Sequence, residues 1–172
     1  MTLFNYKLTF RFYHADLAMI ELDSPARLTN RSIVDVLPIL PADRLTDRIY
    51  TKHSRVSGWG YEVLNDTHKL EFQSDVLLEY TADVANTSVC DAVDTPSDSV
   101  CYTPFRDPES VTCEGDVGGP MILKRKRVWH LGGVINGFNI EDGCTPGLKS
   151  ATKVPLYTDW IDSVISSTRN GK

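Results

Sequence analysis

The segment Cys113-Glu114-Gly115-Asp116-Val117-Gly118-Gly119-Pro120 holds the densest chemistry in the chain. Glycine permits sharp backbone turns, so such a loop can aim amide N–H groups at a developing oxyanion. The same residues also suit an ordinary tight loop. Val117, at its centre, has two methyl groups and no proton to abstract, so it cannot attack a carbonyl. The nearest hydroxyl, on Thr112, has no histidine placed to activate it.

Cys90, Cys101, Cys113 and Cys144 include no Cys-x-x-Cys pair and no histidine at ligand spacing. A metal site is therefore not expected, and nothing else points to a cofactor. Two disulfides are the better reading, with the pairing open, and they require an oxidising compartment. Three Asn-x-Ser/Thr acceptors, at Asn30, Asn65 and Asn86, lie in polar, turn-like surroundings and point the same way. The first residues, interrupted by Lys7 and Arg11, lack the apolar run of a signal peptide. Secretory features without a leader raise the expectation that the natural beginning is missing.

The 172 residues are 41% hydrophobic and 24% charged, ordinary values for a soluble domain. The net charge is -5, and Lys124-Arg125-Lys126-Arg127 is the one basic cluster. That cluster reads first as a solvated hairpin turn and second as a docking patch. Nucleic acid is not an expected partner. No apolar run reaches the ~18 residues of a membrane-spanning helix.

The elements that must hold these residues are short β-branched and aromatic runs separated by Gly, Pro, Asn and Asp. Leu17–Leu22, Arg55–Gly60 and Val76–Val84 are predicted strands, and Met121–Leu123 with Val128–Ile135 predict a hairpin around the basic turn. Many short strands with frequent turns indicate an all-β barrel or sandwich. Pro96, Pro104 and Pro108 make Asp91–Ser110 a loop-rich stretch. Trp160, Ile161, Val164 and Ile165 form one apolar stripe, predicting a helix over 157–168.

With these segments taken in order, the chain resembles the chymotrypsin/trypsin family of serine proteases. The Cys113–Pro120 loop is similar to that family's Cys-x-Gly-Asp-Ser-Gly-Gly-Pro nucleophile loop, with Val117 in the place of the serine. Ala15–Leu22 resembles the strand carrying the triad aspartate, which assigns that role to Asp16. Leu37–Pro41, Val56–Gly60, Leu131–Ile135, Gly143-Cys144, Pro146-Gly147 and Tyr157–Ile161 match further family segments in the correct order.

The resemblance implies a double antiparallel β-barrel with the first barrel incomplete, and a C-terminal α-helix. Residues 1–53 would be the remnant of the first barrel, 54–156 the second barrel, and 157–168 the helix. It also implies disulfides Cys90–Cys101 and Cys113–Cys144. The family's bridge between the inter-barrel strand and the strand after the nucleophile is absent, with Ser54 and Leu123 in those positions.

In the family's mechanism, serine attacks, histidine takes its proton, aspartate orients the imidazolium, and backbone amides hold the oxyanion. Only Asp16 and the oxyanion loop of Gly115, Asp116 and Val117 carry over. The family's histidine precedes the aspartate strand, and no residue here takes its role. His14 reads as an ordinary turn or strand residue, and His53, His68 and His130 lie in segments without a catalytic part. Loss of one essential triad member typically costs about a millionfold in turnover.

Val111 and Thr112 would line the pocket base, removing the aspartate that selects Lys or Arg. Asn136, Gly137 and Phe138 replace the substrate-holding strand, with Phe138 expected to plug the pocket. Asp116, which the family pairs with a freed N-terminal amine, needs another partner, because a buried unpaired carboxylate is costly.

These readings make the chain a secreted, non-catalytic serine protease homologue that binds a protein or an inhibitor. The alternatives are a truncated form of a longer serine endopeptidase homologue, a hydrolase using Thr112, and an all-β binding domain unrelated to proteases.

Overall fold

Six strands close into a barrel in a computed structural model of the chain. The structure describes residues 8–11, 15–26, 28, 36–42, 50, 54–63, 70–85, 87–91, 95–105, 112–136, 144 and 147–170. A two-stranded sheet comes first, with β1 (Leu8–Arg11) antiparallel to β2 (Leu17–Ile20) and Arg11 opposite Leu17. Then come β3 (Ser54–Gly58), the small pair β4 (Tyr61–Val63) and β5 (Leu70–Gln73), and β6 (Leu78–Val84). A one-turn helix α1 (Thr87–Asp91) precedes β7 (Ser99–Pro104). The rest are β8 (Pro120–Arg125), β9 (Val128–Ile135), β10 (Lys149–Lys153) and α2 (Thr158–Asn170).

The barrel order is β10-β7-β6-β3-β8-β9, and β9 pairs with β10 to close it. Every barrel neighbour is antiparallel. Closure leaves no free edge on this sheet. Its main apolar cluster joins Val56, Ala82, Val100, Tyr102, Met121, Leu123, Ile135 and Ala151 of the barrel strands with Leu40 and Tyr50 from outside them, all nearly inaccessible. Side chains alternate across a strand, which is why Met121 and Leu123 face inward while Lys124 is exposed.

The expected strands and the hairpin around the basic turn are present. One expectation differs. Asp91–Ser110, read as loop-rich, contains β7, whose Val100, Cys101 and Tyr102 are 5%, 0% and 0% exposed. Burial on both faces removes the alternation that marks a half-exposed strand. Pro104 stands at the end of the strand, where the missing N–H matters least.

A second apolar cluster joins the first sheet to the end of the chain. Ala15 and Leu17 meet Val154 and Tyr157, with Ile39, Leu131, Val134, Trp160 and Ile161 packed around them. The Leu37–Pro41 segment docks on β9 through Leu131 N–H to Pro38 O at 2.8 Å and Leu40 N–H to Leu131 O at 3.2 Å. A 3-10 turn, Val154–Tyr157, leads into α2, whose predicted stripe supplies Trp160 and Ile161 to this cluster.

Candidate functional site: the loop around Val117

The glycines of the Cys113–Pro120 loop are required by its backbone. Gly115 and Gly118 adopt φ of 92° and 89°, the region that glycine enters without a Cβ penalty. The loop is clamped on β9 by Gly118 N–H to Ile135 O and Ile135 N–H to Gly119 O, both at 2.8 Å. Tyr61 N–H donates to Glu114 O at 2.9 Å from the other side. Asp116 N–H to Cys113 O at 3.1 Å and Gly119 N–H to Asp116 O at 2.8 Å close two internal turns.

The Asp116 carboxylate finds its partners in the backbone. Its Oδ1 accepts from Gly60 N–H at 2.8 Å and its Oδ2 from Cys113 N–H at 2.9 Å. No amine is needed to satisfy these two oxygens. The Gly58-Trp59-Gly60 turn is built around this carboxylate: a Cβ on Gly58 would sit 1.9 Å from Oδ1, and one on Gly60 2.5 Å from Cγ. Both glycines therefore act by leaving room for Asp116.

Val117 projects from the centre of the loop and is 49% exposed. The amides of Gly115 and Val117 donate to no acceptor among the described residues. The Val117 side chain carries no nucleophilic atom. Asp16 is exposed between buried Ala15 and Leu17, with φ of 44°. No described residue pairs with its carboxylate.

Thr112 is 2% exposed, and its hydroxyl meets Tyr80 Oη at 2.5 Å and Tyr102 Oη at 3.0 Å. Burial raises the Tyr80 phenol to about 12, although its bonds to Thr112 act in the opposite direction. Burial also lifts Tyr102 well above the ordinary phenol range, and the neighbouring Tyr80 adds to the effect. These three hydroxyls form a neutral internal network with no base.

Asn136 is equally committed. Its Nδ2 donates to Ser99 Oγ and Thr152 Oγ1, each at 3.1 Å, and its Oδ1 accepts from Ser150 Oγ. It ties the end of β9 to β7 and β10. Lys149 stands opposite Tyr102 in the β10–β7 register and is only 2% exposed. Neither the tyrosine pair nor this buried lysine was singled out from sequence. Their signal is weak, since a Lys two residues beyond Pro146-Gly147 and two isolated tyrosines look like surface features.

The disulfides are Cys90–Cys101, from α1 to β7, and Cys113–Cys144, at the base of the Val117 loop. At the positions of the absent third bridge, Ser54 Oγ donates to Tyr50 O at 2.8 Å, and Leu123 is 1% exposed in the core. Val111, Gly137 and Phe138 of the expected pocket lie outside the described residues, as do Asn30, Asn65, Asn86, His14, His53 and His68. His130 is described, and its Nδ1 lies 3.1 Å from the carbonyl of Val128, on the hairpin. Among the described residues no three His, Cys, Asp or Glu side chains cluster as metal ligands, and no helix is long and apolar enough to cross a membrane.

A closed antiparallel six-stranded barrel, a glycine loop ordered by its own aspartate, and a helix packed at the end define a trypsin-like domain. The family model named Trypsin matches residues 3–161, and the chain belongs to that family. It is similar to vitamin K-dependent protein C of Oryctolagus cuniculus, 29% identical over 87% of this chain and 33% of that protein. CLIP domain-containing serine protease C9 of Anopheles gambiae is 29% identical over 96% of this chain and 48% of that protein. Coagulation factor XI of Bos taurus is 30% identical over 85% of this chain and 22% of that protein. The chain thus spans less than half the length of each of these relatives.

Proposed function

We propose that the chain is a non-catalytic serine protease homologue that acts by binding a protein partner or inhibitor in an extracellular setting. The observation carrying this reading is Val117, half exposed at the centre of an otherwise ordered nucleophile loop. The loop keeps its shape because Asp116 is held by Gly60 and Cys113, independently of catalysis. Asp16 has no described partner to orient, and Thr112 is sealed between two phenols. Val111, Thr112, Asn136, Gly137 and Phe138 would form a closed or narrowed pocket. The two disulfides, and relatives whose names place them in clotting, support the extracellular setting. Asn30, Asn65 and Asn86 are its proposed glycan acceptors.

The test is incubation of purified protein with a peptide substrate library and with a serine-directed phosphonate. No cleavage and no covalent adduct are expected, since loss of the nucleophile typically removes about a millionfold of turnover. Peptide cleavage blocked by the phosphonate would overturn the reading.

A second reading is a truncated form or fragment of a longer serine protease homologue. It is supported by Ile20 and Leu22, 65% and 58% exposed at the end of a two-stranded sheet. Intact-mass measurement of the natural protein after deglycosylation decides it. A polypeptide near 19.3 kDa makes the short form the natural protein, and a substantially heavier one makes this chain a fragment of it.

A further inference from the structure

The β8–β9 hairpin closes with a two-residue turn, since Arg125 pairs with Val128 and only Lys126 and Arg127 lie between them. Both adopt positive φ, 46° and 68°. Turns with two left-handed residues favour Asn-Gly, because a Cβ is strained at positive φ and only glycine, or a short Asn or Asp, enters that region readily. Two bulky cations in place of Asn-Gly are a local strain that the barrel itself does not require. Backbone strain of this kind concentrates where a side chain has a use.

The neighbouring residues continue the charge. Lys124 Nζ lies 5.1 Å from the Trp129 ring centroid, and the Arg55 guanidinium lies 5.2 Å from it. Cation–π contact pins both heads beside the ring. Arg55 also pairs with Glu79, the one described carboxylate salt-bridged to this group. Lys124, Lys126 and Arg127 are exposed, so Arg55, Lys124, Arg125, Lys126 and Arg127 form a positive tip on a chain of net charge -5.

We propose that this hairpin tip is a docking site for a sulfated polysaccharide. Protein interfaces rely on apolar or aromatic anchors and are depleted in lysine. Here the Trp129 ring is engaged by two cations, so the surface offers charge rather than an anchor. Closely spaced sulfates suit both kinds of head, the guanidinium through paired N–H bonds and the ammonium as a point charge. A long duplex would carry its charge past the tip and over an acidic body, which disfavours nucleic acid.

The probe is a heparin-derived octasaccharide, titrated against the full chain at several salt concentrations. The Lys126→Asn/Arg127→Gly variant removes two charges while installing the residues the turn prefers. It should weaken binding by about tenfold or more and lower the slope of log affinity against log salt by about two. Its melting temperature should stay level or rise, so the loss cannot be attributed to unfolding. Lys126→Gln/Arg127→Gln should weaken binding in the same way. Unchanged affinity in both variants would overturn the site. Displacement of the octasaccharide by poly-glutamate or duplex DNA of equal charge would overturn the assignment to a sulfated glycan.

Discussion

Gly60→Ala tests whether Asp116 organises the Val117 loop. The new Cβ would lie 2.5 Å from Asp116 Cγ and Oδ2, so the carboxylate must leave. Its departure breaks two charge-assisted bonds, from Gly60 N–H at 2.8 Å and Cys113 N–H at 2.9 Å. Hydrogen bonds to charged groups contribute about 1.5–3 kcal/mol each. Asp116 is half-buried, so solvent recovers part of this loss, and about 2–4 kcal/mol in total is expected. Asp116→Ala breaks the same two bonds and should cost the same amount. The double variant Gly60→Ala/Asp116→Ala should then cost little more than either single one, because the clash has lost its target. Urea unfolding of the four proteins reads these differences from their midpoints at constant slope. Additive costs in the double variant, or a cost under about 0.5 kcal/mol for Asp116→Ala, would refute the reasoning.

Leu123→Ala should destabilise by about 2–5 kcal/mol in urea unfolding, since Leu123 is 1% exposed in the barrel core. The raised phenol of Tyr80 ionises in the unfolded chain near its ordinary value of 10.0 and in the folded chain only at about 12. Stability should therefore be intact below pH 10 and fall as pH rises from about 10 to 12. Tyr80→Phe should flatten that decline in alkaline melting curves. Replacing Cys113 and Cys144 by alanine opens a bridge of sequence separation 31, and should lower stability by about 3–4 kcal/mol in chemical denaturation.

The amino-acid sequence alone determined the class of fold and the central chemical fact. A run of β-branched and aromatic residues beside the basic turn marked Val128–Ile135 as a strand, the apolar stripe of Trp160, Ile161, Val164 and Ile165 marked 157–168 as a helix, and valine at position 117 leaves no nucleophilic atom there. These properties are local, so they are written in consecutive residues. The two disulfide pairings were implied by the family resemblance, since spacing alone left them open, and the structure contains both.

Tertiary structure alone decided which distant groups meet. Asp116 is satisfied by Gly60, 56 positions away, and Thr112 is caught between Tyr80 and Tyr102. β7 escaped notice because burial on both faces erased its alternation. Lys149 is buried because its strand closes the barrel against β7 and β9, although its charge alone places it at the surface. Partners of this kind depend on strand register and barrel closure, which bring together residues that no short window of sequence contains.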